Sequence, residues 1–223
     1  MTVAFPHAPD EETLIEQYQR MAHSFESRPV DRALRMLDLA LAGTLLVLTA
    51  PVMAVAAVAV RGTGRPILYR GRRVGRAGTV FVMLKFRTLR ADSETRLGPH
   101  LGAELTALTR AEQTLVGRVL RATKVDELPQ LLTVVRGDMS LVGPRPIRPA
   151  FFEQLCHEIP AYGQRLVVPP GLTGLAQLRM SREMSWAEKL AHDVEFIADR
   201  SVRLYLGVLA ETAARLVSGS WDG

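Results

Sequence analysis

Residues 39–60 read LALAGTLLVLTAPVMAVAAVAV, a run without one charged side chain. About 20 apolar residues are enough for a helix to cross a bilayer. Both flanks are basic: Arg28, Arg32 and Arg35 precede the run, and Arg61, Arg65, Arg70, Arg72, Arg73 and Arg76 follow it. Positive flanks stay on the cytoplasmic side, so a single crossing would put one of them on the wrong face. Pro51 sits in the middle, where it removes a backbone hydrogen bond and bends a helix. The half before it, Leu39–Ala50, would rise about 18 Å, and the half after it about 13 Å. Neither covers the roughly 30 Å hydrocarbon layer. The sequence therefore predicts a helix–break–helix hairpin that dips into one leaflet and returns, with a buried core helix and a true single span as the alternatives. A signal peptide is excluded, because the preceding residues carry Asp10, Glu11, Glu12, Glu16 and Glu26 and have no basic leader.

Composition sets outer bounds. The chain has 223 residues, 48% of them hydrophobic but only 6% aromatic, with a net charge of +5. Only three of its 28 basic residues are lysine (Lys85, Lys124, Lys189). Arginine suits bidentate phosphate binding better than lysine, although a GC-rich genome produces the same bias. Nucleic-acid binding through a stacking surface would need more aromatic residues interleaved with the basic ones, so no nucleic-acid partner is expected. Cys156 is the single cysteine. It excludes an internal disulfide and a thiolate cluster, fits a reducing cytoplasm, and reads as a small buried apolar residue. The histidines show no metal-ligand spacing.

From Leu39 to Ala91 there is no acidic residue, while residues 61–90 hold nine basic ones. Strands are predicted over Pro66–Arg70 and Thr79–Phe86, with Gly75 and Gly78 in the turn. Such a hairpin would gather Arg70, Arg72, Arg73, Lys85 and Arg87. Lys85 and Arg87 are expected to face a ligand and the others to act electrostatically on anionic lipid or phosphate.

Residues 124–149, KVDELPQLLTVVRGDMSLVGPRPIRP, carry the chemistry. Asp126 reads as a helix N-cap with Glu127 at N1 and Pro129 in the first turn. Leu128, Leu131, Leu132 and Val135 would form the apolar face of that helix. A carboxylate pair suits an oxygen-ligated cation, and a helix N-terminus attracts phosphate. Arg145 and Arg148 follow on a proline-stiffened segment, and Arg121 lies five residues before Asp126. Guanidinium groups beside paired carboxylates suit a phosphoryl group. Further on, Phe151–His157 reads as a short helix and Pro169–Gly174 as a double turn. Ser185-Trp186-Ala187-Glu188 is a capping box opening a helix to about Arg200, and a last helix covers Val202–Val217.

These blocks, taken together and in order, resemble the bacterial sugar transferase family, the monotopic phosphoglycosyltransferases. The resemblance runs from Arg32 to about Val217. It rests on the apolar segment with its central proline, on Arg73-Val74-Gly75 and on Lys85-Phe86-Arg87-Thr88. It rests equally on Asp126-Glu127-Leu128-Pro129-Gln130-Leu131, on Ser140–Pro146, and on Pro170–Gln177. Departures from the family pattern fall at Ala50 (usually Ser), Gly71 (often Gln), Arg179–Arg182 (an Asn-Gly-Arg run) and Tyr205 (acidic).

The resemblance implies transfer of a sugar 1-phosphate from a UDP-sugar to polyprenyl (undecaprenyl) phosphate. This step would begin exopolysaccharide, capsule, O-antigen or glycoconjugate assembly. It implies Asp126 as nucleophile, Mg²⁺ held by Asp126 and Glu127, and phosphate contacts from Lys85, Arg87, Arg121, Arg145 and Arg182. The alternative is a non-catalytic, membrane-docked scaffold of a polysaccharide assembly complex.

The expected fold is α+β: a re-entrant membrane helix hairpin plus a small, mainly helical cytoplasmic domain with a short β-hairpin. Residues 1–30 would be a polar arm, 31–61 an interfacial and re-entrant helix broken at Pro51, and 62–223 the catalytic domain. The expected location is monotopic, on the cytoplasmic face of the bacterial inner membrane and in contact with its lipid. Whether the chain forms a homodimer is left open.

Overall fold

The computed structural model describes residues 28–90, 93, 109–179 and 184–219. Most of the polar arm, and Arg182, lie outside the described residues. The described chain is mostly helical, with two small two-stranded sheets.

Helix α1 spans Pro29–Gly62. It opens with Pro29 at its first position and with the Arg28 N–H donating to Asp31 Oδ2 at 2.8 Å. The structure runs as one helix through Pro51, which has no N–H to donate to the Val47 carbonyl, so the two separate helices expected on either side of the proline form a single element. The Thr49 hydroxyl donates to the Leu45 carbonyl at 2.6 Å one turn before the proline. That back-bond occupies a carbonyl next to the weak point, with Ala50 at the position where a serine is usual. Leu34 and Ala42 on one side of Pro51, and Ala56 and Val60 on the other, are buried against the rest of the protein. Between them Leu45, Val47, Leu48, Val52, Val55 and Val58 are exposed.

Strands β1 (Leu68–Val74) and β2 (Val80–Phe86) form the antiparallel hairpin. The first strand lies later than the sequence suggests, because the turn is carried by Gly78 (φ 74°) and by Ala77, which sits in the left-handed region (φ 55°). Side chains alternate across a strand, and the basic residues divide accordingly. Arg70 and Arg72 flank Leu84 and Val82, while Arg73 pairs with Phe81 and Tyr69 with Lys85 on the opposite face. The hairpin therefore does not gather all five cations.

Helix α2 (Leu115–Ala122) is capped by Thr114, whose hydroxyl accepts from the Gly117 N–H. At Gly117 the helix touches the chain leaving β2: an added Cβ would lie 2.0 Å from the Thr88 carbonyl oxygen. A 3₁₀ turn, Val125–Glu127, leads to α3 (Gln130–Arg136). Asp126 is not the N-cap of α3, since that position belongs to Pro129 and no side chain caps it. The extra turn also rotates the apolar face. Leu131 and Val134 are buried, whereas Leu132 and Val135 are exposed. Gly137 (φ 98°) ends the helix, and Arg35 of α1 donates to the last carbonyls, Val134 and Val135, at 2.7 and 2.8 Å.

The remaining elements are β3 (Ser140–Val142), α4 (Pro149–Glu158), a 3₁₀ stretch (Pro160–Val167), β4 (Gly171–Thr173) and α5 (Leu175–Arg179), followed by α6 (Trp186–Asp199) and α7 (Val202–Ser218). Strands β3 and β4 pair in parallel, a contact the local sequence pattern did not signal. The capping box opens α6 as expected, with Ser185 and Glu188 bonded reciprocally. Cys156 is buried with Phe152, Leu155, Tyr162, Leu166 and Leu190. Trp186 packs at the edge of that cluster, edge-on to Phe151 with ring centroids 4.9 Å apart.

Candidate active site

The 3₁₀ turn that carries Asp126 and Glu127 is entered through Lys124, which adopts a left-handed conformation (φ 57°). Such a backbone is uncommon for a residue other than glycine and costs of order 1 kcal/mol. It lets the chain leave α2 and reverse at once, placing both carboxylates beside the end of that helix. Asp126 is 6% exposed. Lys85, on β2, donates from Nζ to Glu127 Oε1 at 2.7 Å. Arg121, in the last turn of α2, donates from Nε to the Thr88 hydroxyl at 2.9 Å. The close approach at Gly117 thus holds α2 where the Arg121 charge bears on Asp126 and then Glu127.

The two carboxyls are driven apart. Burial, and then the negative charge of Glu127, push Asp126 up to about 6 against the pull of Lys85, Arg121 and Lys124. Burial also acts on Glu127, but the Lys85, Arg145 and Lys124 charges and the Lys85 hydrogen bond outweigh it and hold this carboxyl below its usual range. Neighbouring acids with divergent proton affinities carry different roles. Raised only to about 6, Asp126 is still mainly ionised at pH 7, yet it is more basic than an ordinary carboxylate and therefore a stronger nucleophile. No hydrogen bond from the described residues reaches its carboxylate, and its environment is one of charges.

Of the residues expected from sequence, Asp126, Glu127, Lys85 and Arg121 come together. Arg145 is exposed on the segment after β3, and its charge acts on Glu127. Arg87 is placed otherwise. It is 6% exposed, and its guanidinium donates to the carbonyls of Pro66 and Leu89 at 2.7 Å each and to the Thr63 hydroxyl at 3.0 Å. Here it fastens the end of α1 to the chain after β2, in place of the ligand-facing position expected of it. Lys124 joins the cluster although the sequence did not single it out; its adjacency to Asp126 was the available signal. Asp38, Arg165 and Asp193 are buried charged residues that no local pattern announced.

The donor set fits a hard divalent cation. Burial, and then the charge of the adjoining Glu127, raise Asp126, and a cation would relieve the repulsion between the two carboxylates. Among the described residues no group of three or more His, Cys, Asp or Glu side chains could enclose a metal. An ion of the Mg²⁺ type, which takes one or two carboxylates and fills its shell with water and substrate phosphate, matches such a set.

Comparison with known proteins identifies the family. A family model described as "Bacterial sugar transferase" matches residues 30–219. The UDP-glucose:undecaprenyl-phosphate glucose-1-phosphate transferase of Caulobacter vibrioides is 38% identical over 195 residues, covering 85% of this chain and 71% of that protein. The undecaprenyl-phosphate galactose phosphotransferase of Salmonella typhimurium is 32% identical, covering 80% of this chain but 39% of its own length. The exopolysaccharide production protein ExoY of Rhizobium meliloti is 32% identical, covering 87% of this chain and 91% of that protein. The chain thus spans well under half of the Salmonella relative, while matching ExoY over most of both lengths. Shared over nearly all of its described length, these features place the chain in the bacterial sugar transferase family.

Proposed function

We propose that this protein transfers a sugar 1-phosphate from a UDP-sugar to undecaprenyl phosphate through a phosphosugar–aspartyl intermediate, starting the assembly of an exopolysaccharide or related glycan. The observation that carries this reading is the buried Asp126, raised by burial and by Glu127 and set among Lys85, Arg121 and Lys124, with the Arg145 charge acting on the adjoining Glu127. In the first half-reaction an Asp126 oxygen attacks the β-phosphorus. A P–O bond to the carboxylate forms, the bond from that phosphorus to the oxygen bridging the α-phosphate breaks, and UMP leaves with the electron pair. In the second, an oxygen of the lipid phosphate attacks the same phosphorus, the acyl phosphate bond breaks, and the carboxylate is restored.

Attack by an anion on a diphosphate is opposed by charge. Lys85, Arg121 and Arg145 would offset the negative charge that develops on the diphosphate. Asp126 and Glu127 would hold a divalent cation, which when bound supplies further neutralisation of the diphosphate. Glu127, kept ionised by Lys85, orients the pair.

The membrane reading extends this. One helix among the described residues, α1, is long and apolar enough to cross a membrane. Its upstream part is held to α3 through Arg35, and its downstream end to the chain after β2 through Arg87. Both attachments belong to one body, which cannot lie on two sides of a bilayer. An α1 that enters and leaves the cytoplasmic leaflet of the inner membrane satisfies these contacts, and it sets the carboxylates near the headgroups, where a polyprenyl phosphate presents its charge.

The test is incubation of the purified full chain with a panel of UDP-sugars and undecaprenyl phosphate, measuring UMP release. With lipid acceptor omitted, intact mass of the Asp126 peptide should rise by one hexose phosphate. Turnover without any such adduct excludes the covalent route.

A further inference from the structure

Arg165 lies in the 3₁₀ stretch after α4, 4% exposed, inside the cluster of Phe152, Leu155, Leu166 and Leu190. Its Nη2 makes an ion pair with Asp193 Oδ2 at 2.8 Å and donates to the Arg145 carbonyl at 2.8 Å, while Nη1 donates to the Tyr162 hydroxyl at 2.7 Å. Removing two charges from water costs several kcal/mol each, and apolar residues of the same volume often serve stability as well or better. Packing alone therefore does not explain a charged pair in this cluster. An arginine here does one thing an apolar residue cannot: it holds the backbone of Arg145.

The rest of that turn is pinned as well. Gly143 donates to the Thr173 carbonyl at 2.9 Å, Gly171 to the Pro144 carbonyl at 2.9 Å, and Val74 to the Ile147 carbonyl at 2.9 Å. Cβ atoms at Gly143 and Gly171 would lie 2.5 and 2.0 Å from backbone atoms, so the β3–β4 contact admits nothing larger. Between these fixed points the Arg145 carbonyl is held by Arg165 alone among the described residues. The Arg145 side chain is exposed, with its charge bearing on Glu127.

We infer that Arg165, locked by Asp193 and Tyr162, is a positioning residue that aims the Arg145 guanidinium at the donor diphosphate beside the dyad. This rests on the transfer reaction proposed above. A side chain with four rotatable bonds reaches one place only as well as its backbone is fixed.

The experiment compares wild type, Arg165→Lys, Arg145→Ala and the double variant as full-length protein in detergent. Lysine keeps the charge opposite Asp193 but cannot reach Asp193, Tyr162 and the Arg145 carbonyl together. Expected for Arg165→Lys are a melting temperature within a few degrees of wild type, hydrogen exchange at least tenfold faster in the peptide covering 143–148, and a KM for UDP-sugar raised about tenfold. In the Arg145→Ala background the same change should add less than twofold, because coupled residues are not additive. Equal fold-losses in both backgrounds, or unchanged exchange at 143–148, overturn the inference. If the lysine variant does not fold, Arg165→Met with Asp193→Leu removes both charges together and is held to the same outcomes. Wild-type protein that releases no UMP refutes the transfer reaction separately. The aiming role is then judged by exchange and by calorimetric affinity for UDP, which must fall about tenfold with Arg165→Lys and not further in the Arg145→Ala background.

Discussion

Asp38 and Asp126 are both buried aspartates, 3% and 6% exposed, and they have been treated in opposite ways. Asp38 Oδ1 accepts from the Ser140 hydroxyl at 2.9 Å, the Leu141 N–H at 2.7 Å and the Tyr205 hydroxyl at 2.6 Å. It ties α1, β3 and α7 together, and its burial is answered by these three hydrogen bonds, with the Arg35 charge beside them. Asp126 receives no hydrogen bond from the described residues and is surrounded by ions. Burial answered by hydrogen bonds makes a joint; burial answered only by charge leaves a group whose state can change. The residue type is the same, and the neighbours decide whether it is mortar or reagent.

Four measurements can break or sharpen that contrast. Asp126→Asn should cut UMP release by at least about a thousandfold with an unchanged or higher melting temperature; near-wild-type release would place the nucleophile elsewhere. Asp38→Ala should do the reverse. It leaves two hydroxyls and an N–H unpartnered in the core and should destabilise by about 2–4 kcal/mol, seen as an earlier melting transition in detergent. A change of pH comes next. The folded protein keeps the Asp126 proton up to about 6, whereas the unfolded chain releases it near 3.8. The native state binds more protons in that window, so stability falls as pH rises from about 4 to 6. The contribution is on the order of 2 kcal/mol. Melting curves of wild type and Asp126→Asn should coincide below pH 4 and separate above it, the variant melting higher; over the same window wild-type kcat/KM should climb as Asp126 ionises. Tyr205→Phe, the smallest effect, removes one of three donors and should cost about 1 kcal/mol with activity per folded molecule within a few-fold of wild type.

Sequence made the helical elements readable where the signal is local. The α6 capping box, the end of α3 at Gly137 and the apolar run of α1 each lie within a few consecutive residues. The Asp126-Glu127 pair was legible as adjacent carboxylates but not for its conformation, because capping patterns look alike until Lys124 is seen to turn left-handed. What remained hidden is non-local. Arg87 looks like a phosphate ligand in its own segment, and only the approach of Thr63 and Pro66 shows where its donors go. The β3–β4 pairing joins two three-residue strands, too short for alternation to declare itself. Arg165 finds Asp193 and Arg145 across 28 and 20 residues, a coincidence that no periodicity encodes.

The double attachment of α1 has a mechanical meaning. A helix clamped by Arg35 near one end and by Arg87 at the other is tied at both ends to the globule it rides on. Pressing its oily waist into lipid therefore presses the whole globule to a set draught, as a keel does a hull. In the membrane docking proposed above, the waterline at which a lipid acceptor would meet the carboxylates is set by the protein's build and not by the drift of the surrounding bilayer.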